Sequence, residues 1–432
     1  MVTSLTHSPE QIAAALTATA ETPVWLQVGT VFDGTDVHHD VQVVYDQRRI
    51  RWMATSAPNA GLVRPGQRAP SFVRPDLILL PGFVEAHAHL FLAGAERDPT
   101  ARAKYLQQND DALLTQAEQR LERLLAWGVM AVRDAGDRNG VGLALAARHR
   151  SESPRRLPLV ESPGAAIHHQ GRYGSFMGRP VQEHADIEAA VAARVAEGAQ
   201  HIKLLATGII NFEKGAVTAR PQMDAAELTQ AVAAARRHQR QVMVHCSGHD
   251  GVENCIAAGV DTIEHGFFVS DEQLARMRDQ DIAWVPTFAP VQFQLEQASV
   301  LGWSDTVRGH LRRILDAHAA RLRRAVELGV RVIAGSDAGS HGVPHGSGFL
   351  RELELMEEAG MPTRAVLHSA TGAAARLHLN EPVGTLQVGG APRFLLTDAP
   401  VLSDIRQLRR PFVAVMDGAV CDGGDDESVP GL

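Results

Sequence analysis

Apolar positions along the 432 residues fall into two textures, and the change between them comes near residue 77. Before it, short β-branched or aromatic runs stand between Gly, Asp and Asn: Val24–Gly29, Val41–Tyr45 and Ile50–Met53. These predict short strands. A helix is expected over Pro9–Ala20, with Pro near its start. After residue 77, continuous apolar runs alternate with Ala/Leu/Arg-rich segments of helical spacing. The runs are Leu79–His87, Val129–Arg133, Leu157–Glu161, His201–Ala206, Gln241–His245, Asp261–Glu264, Ile282–Pro286 and Arg331–Gly335. Helices are predicted between them at Ala112–Trp127, Asp186–Glu197, Ala225–His238 and Leu311–Leu328.

Buried parallel strands read as unbroken apolar runs, and eight strand–helix units are the number that closes a (β/α)8 TIM barrel. A doubly wound open sheet is the alternative that the pattern alone admits. Beyond the helical stretch Thr363–Leu377, strands are again predicted at Gly384–Val388, Phe394–Leu396 and Val413–Met416. The expected organisation is therefore a barrel over residues 79–380. Residues 1–78 and 381–432 join in a small β-sandwich domain, with an acidic, Gly-rich tail at Gly423–Leu432.

Composition narrows the partners. The net charge of −8 argues against a nucleic-acid partner, which would need a basic face. No apolar run approaches the ~20 residues of a membrane span, and Met1–Thr22 lacks the basic start and apolar stretch of a signal peptide. The expectation is a cytoplasmic protein with a small-molecule substrate. Three scattered cysteines supply neither a disulfide framework nor a four-cysteine zinc site, so any metal must be held by nitrogen and oxygen.

The candidate chemistry lies where the predicted barrel strands end, because those ends share one mouth. The first ends in His87-Ala88-His89, and strand alternation puts both imidazoles on one face. The fifth ends at His245, the sixth at His265 and the eighth at Asp337. Four histidines and an aspartate at strand ends form a metal-ligand set rather than satisfied core residues. Lys203 sits inside the fourth apolar strand, where burial favours a neutral amine able to take up carbon dioxide as a carbamate. An ion pair with Asp337 or Glu161 is the plainer alternative. Cys246 follows a ligand and is read as packing, and His249 as a pocket wall or helix start.

The motifs PGFVEAHAHL, IKLLATG, VHC, IEHG and GSDAG, in that order, resemble the amidohydrolase superfamily. Within it the chain is similar to the imidazolonepropionase-like and Xaa-Pro dipeptidase (prolidase-like) branch, and the resemblance covers nearly the whole chain. It implies two divalent ions, zinc by donor type with manganese or cobalt also suited. His87, His89 and Asp337 would hold one, His245 and His265 the other, with carboxylated Lys203 bridging. Asp337 would take and return the proton while water activated by the ions attacks an amide carbonyl. A strand-three histidine, His169 in preference to His168, would polarise that carbonyl. His168, Arg172, Tyr173, Arg220 and His345 are the expected substrate contacts. Met223 and Cys246-Ser247 stand where prolidase-like enzymes carry carboxylate-binding tyrosines, a departure that bears on dipeptide specificity. The same centre would serve a carbamate, ester, lactone or phosphotriester, and a non-catalytic scaffold is the reading from another class. Homo-oligomers are common in the family and expected here.

Overall fold

The computed structural model describes residues 9–150, 157–377, 383–409 and 413–421. The tail Gly423–Leu432 lies outside them.

Two parallel sheets form the barrel wall. One holds strands Phe83–Ala88, Val129–Asp134 and Leu159–Glu161. The other runs, in spatial order, Ala283–Val285, Thr262–His265, Val242–Cys246, Ile202–Leu205, Ala166–His168 and Gly178–Pro180. They meet at two seams. At the first, the third strand is bent. Its piece Leu159–Glu161 pairs back with Val129–Asp134, while Ala166–His168 pairs forward, Ile167 lying opposite Leu204. The Gln200 amide donates to Ser162 O between them at 3.0 Å. At the second seam, the stretch 331–338 fills the eighth place. The Ile333 amide donates to Trp284 O, the Asp337 amide to His87 O at 2.8 Å, and the His89 amide to Ala338 O at 2.7 Å. The eighth predicted strand is thus extended chain with scattered bridges, not a regular ladder. The result is the expected (β/α)8 barrel.

Its helices start where polar side chains cap them. Asn109, Asp186 and Asp224 accept from the Ala112, Ala189 and Glu227 amides, opening Asp110–Ala126, Ile187–Ala196 and Ala225–Arg237. Among the described residues, no helix is long and apolar enough to cross a membrane.

The expected satellite is one continuous seven-stranded sheet with Phe72–Pro81 at its centre. That strand pairs parallel with Val24–Phe32 and antiparallel with Phe394–Thr397. The sheet curls on itself: the Tyr45 and Phe394 rings meet at 5.2 Å although two strands separate theirs. Its inner face buries Val24, Leu26, Val43, Leu79 and Val415, while Leu80, Leu395 and Ala414 face the barrel core.

Three sequence expectations change. The run Leu79–His87 is two strands broken at Gly82, its first three residues belonging to the satellite. Gly384–Val388 is not a strand; Gly384 has φ +92°, and Leu386 docks its amide on Asp33 O at 2.8 Å. Phe72–Pro81 was hidden by Pro75 and its charged neighbours, since Pro argues against a central strand. Here Pro75 sits at a register shift opposite Gly29. A Cβ on Gly29 would lie 1.9 Å from Pro75 O, so only glycine lets the two strands meet.

Candidate metal centre

His87 and His89 end the first barrel strand region, and both are buried. The eighth segment crosses close beside them because it carries glycine on both sides of Asp337. A Cβ on Gly335 would fall 2.9 Å from His87 Cβ, and one on Gly339 2.6 Å from His89 O. That approach puts Asp337 Oδ1 3.6 Å from His87 Nε2 and 3.4 Å from His89 Nε2. His265 joins from the sixth strand, its ring 5.0 Å from that of His87 and 4.6 Å from that of His245. His87, His265 and Asp337 offer one ligand atom each within 4.8 Å of one another.

The imidazoles are aimed by partners on their far nitrogens. His87 Nδ1 meets Glu264 Oε2 at 2.6 Å, His89 Nδ1 meets Gly136 O at 3.2 Å, and His265 Nδ1 meets Thr287 Oγ1 at 2.7 Å. Each leaves Nε2 for the centre. His245 is turned the other way, with Nε2 3.4 Å from Gly208 O, so that Nδ1 is the nitrogen left over. Burial holds all four imidazoles neutral, pushing His89 and His245 down to about 3. Neutral imidazole is the metal-binding form.

Two groups at this centre pay for burial without a hydrogen bond: Lys203 Nζ and Asp337 Oδ1. Burial depresses the lysine amine to about 8 and raises the Asp337 carboxyl to about 7. His265 and Asp337 also adopt left-handed backbone, φ +66° and +56°, which costs energy in residues with a Cβ. A buried amine, a bare carboxylate oxygen and four neutral imidazoles are a donor set that divalent cations satisfy.

Sequence reasoning missed Glu264. Alternation would send it to the opposite face from His265, but the positive φ at His265 swings that ring back so that both meet His87. Glu264 is fully buried and lies 3.7 Å from the equally buried Arg133. Its position is the carboxylate–histidine support that fixes a ligand's tautomer. Glu85, two residues before His87, accepts from the Ser336 amide at 2.9 Å and ties the first strand to the eighth.

A cavity of about 310 Å³ opens at the centre, walled by His89, Lys203, His245, His265 and Asp337. Its other wall is apolar, including Phe176, Ile210, Phe212, Phe267 and Val291. Tyr173 lines it, with its ring 5.1 Å from that of His245. Other expected contacts lie elsewhere. His169 binds the Glu227 carboxylate at 2.9 Å and is absent from the wall, so it stands as a loop anchor. His168 faces a second cavity. Arg172 donates to Arg220 O, and both side chains are exposed outside the cavity. His345 donates to His89 O at 3.1 Å, supporting the first strand rather than meeting substrate. The arginine in the wall is instead Arg102, donating to Ala93 O and Gly339 O. Met223 and Cys246 are fully buried, and His249 begins helix His249–Ala258.

The model of the Amidohydrolase family matches residues 78–423. An uncharacterized protein of Mycobacterium tuberculosis is 28% identical over 310 residues, 70% of this chain and 75% of that one. A crystal structure of a Xaa-Pro dipeptidase with bound methionine in the active site superposes with TM-score 0.78 at 24% identity, covering 93% of this chain and all of that one (100%). Aspergillus niger ochratoxinase gives TM-score 0.78 at 20% identity, over 92% and 95% of the two chains. Molinate hydrolase gives 0.73 at 18%, over 95% and 97%. At such identities these structures speak for the fold.

Proposed function

The chain belongs to the amidohydrolase family, hydrolases acting on C–N bonds, and from that premise we propose a two-metal enzyme that cleaves the amide of a small carboxylate-bearing substrate. One observation carries the reading: ligand atoms of His87, His265 and Asp337 converge within 4.8 Å beside a buried lysine amine that has no hydrogen bond. His87, His89 and Asp337 would hold one ion and His245 and His265 the other, with Lys203 between them as a carbamate. Zinc suits the nitrogen-rich set, and manganese or cobalt fits as well. When bound, such ions make water acidic and polarise a carbonyl.

The side chains supply the rest. Asp337, buried beside the imidazoles, would take the proton from water and return it to the leaving nitrogen. Tyr173 offers a phenol at the wall beside His245. Arg102 is the charged side chain of the described wall outside the ligand set, which suits an anionic end group on the substrate. The aromatic and aliphatic wall receives an apolar one. An N-acyl amino acid or a dipeptide with an apolar residue has both features. The fold is shared with a Xaa-Pro dipeptidase, an ochratoxinase and a molinate hydrolase, so the bond cleaved is chosen by the wall.

Metal-loaded protein assayed against N-acyl amino acids, Xaa-Pro dipeptides, carbamates, esters, lactones and phosphotriesters tests this. Turnover of amides, with Arg102→Ala raising KM for carboxylate-bearing amides more than for their neutral esters, is the expected result. Turnover confined to non-amides would overturn it. Protein that takes up no metal would instead be a scaffold.

A further inference from the structure

A second cavity, about 350 Å³, lies on the other side of the segment that carries Tyr173. His168 lines it, together with Arg138, Arg179, Ser175 and Glu183. The metal centre uses none of these. His168 is 2% exposed, and its Nδ1 lies 2.8 Å from His169 O. A carbonyl only accepts, so Nδ1 carries the hydrogen, and in the neutral ring Nε2 is a bare lone pair. Nε2 is buried without a hydrogen-bond partner. Its Cδ2 edge lies against Gly178, where an added Cβ would come within 2.9 Å, so the open side of the ring faces the cavity wall that Gly178 helps to form.

The cavity therefore presents an acceptor at its base and two guanidinium groups at its rim, opposed by the single carboxylate of Glu183. A ligand that satisfies both must donate one hydrogen bond inward while showing negative oxygens outward. We propose that this cavity binds free hydrogen phosphate, whose P–OH donates to His168 Nε2 while its other oxygens meet Arg138 and Arg179. Sulfate lacks the hydroxyl at neutral pH, and so does a phosphate monoester dianion.

Occupancy would be felt at the other cavity through one side chain. Gln222 accepts from the His169 amide at 2.9 Å and donates to Tyr173 O at 3.2 Å, clamping both ends of the loop between the cavities. A ligand on His168 steadies the loop from which Tyr173 and Phe176 wall the metal cavity, so its expected effect is on KM.

Calorimetric titration of metal-loaded protein at pH 8 with inorganic phosphate, sulfate and glycerol 3-phosphate tests the proposal. Phosphate also competes at the metal ions, so two classes of site are expected. The double variant Arg138→Ala/Arg179→Ala, altered only at exposed side chains, should lose one class and keep the class at the metals. Sulfate and glycerol 3-phosphate should bind the lost class at least about tenfold more weakly, the cost of leaving one buried acceptor unmet. The ¹⁵N shift of His168 Nε2 should move with phosphate in the native protein and not in the double variant. Phosphate binding unchanged by the double substitution, sulfate binding as tight as phosphate, or a crevice holding solvent only would each overturn it.

Discussion

The satellite sheet and the barrel mouth both bury polar groups, and they treat them in opposite ways. In the sheet, the Tyr45 hydroxyl donates to Leu16 O at 2.6 Å. Asp46 accepts from the Arg48 and Arg49 amides and from Arg51 Nε. The left-handed residues there that carry a Cβ are both aspartates, a type that tolerates this backbone: Asp40 lies where the pairing of Val37–Tyr45 with Val24–Phe32 is interrupted, and Asp417 sits with Gly418 in a two-residue Asp-Gly hairpin. At the mouth, Lys203 Nζ and Asp337 Oδ1 go without hydrogen bonds, and a histidine takes the left-handed conformation. Native structures satisfy nearly all buried polar atoms, so the exceptions mark where a protein keeps groups ready for something else. The sheet spends its polar atoms on shape. The mouth keeps them for a ligand.

Substitutions can break this contrast, and the largest effect is expected at Asp337. Asp337→Asn should lower kcat by about 10³-fold, the range of a removed general acid–base, with the fold kept by circular dichroism. An active Asn variant would remove Asp337 from the proton path. Lys203→Ala should reduce bound metal from two ions per chain towards one, read by elemental analysis. An unchanged metal content would make the lysine an ordinary buried cation. Glu264→Gln removes the carboxylate behind His87, and metal affinity by competition with a chelator should fall 10- to 100-fold, roughly the cost of losing such support.

A pH series sharpens the lysine's part. Its amine is depressed from 10.5 to about 8 by burial. Below that pH it is protonated and cannot attack carbon dioxide; above it the neutral form dominates. With dissolved carbon dioxide held at one concentration at every pH, reactivation of chelated protein by metal should therefore rise with pH and level off above about 8. A rate that does not vary across this range would exclude the carbamate. The smallest effect belongs to the sheet. Tyr45→Phe should cost about 1 kcal/mol in urea unfolding, by orphaning Leu16 O, with kcat unchanged. A catalytic defect there would dissolve the distinction between the two regions.

How much of this was legible follows from what each residue's signal depends on. Strand ends are read from apolar runs, so His87, His89, His245, His265 and Asp337 could be placed before any coordinates. Lys203 stood out because a charge inside an apolar run has no cheap structural reading. Histidines outside the predicted apolar runs carried no such frame. His168, His169 and His345 are chemically alike, and only the path of the chain sends one to a second cavity, one to Glu227 and one to a backbone carbonyl. Glu264 was obscured by strand alternation, which a single positive φ overrides. Arg102 lies on the short helix Pro99–Tyr105, close to the strand ends in space but outside every predicted apolar run in sequence.

The central place of Phe72–Pro81 in the satellite has a consequence for how the chain is made. One of its neighbours, Val24–Phe32, is synthesised before it; the other, Phe394–Thr397, follows some three hundred residues later, after all eight barrel strands. Until then the strand has an open edge, and open edges invite pairing with other chains. Only Gly82 separates it from the strand Phe83–Ala88, so the last pairing to form steadies His87, the first of the proposed ligands. Contacts of such sequence separation are slow to close. A nascent chain stalled before residue 394 would hold every proposed ligand of the centre and yet lack the brace on which the first of them is mounted.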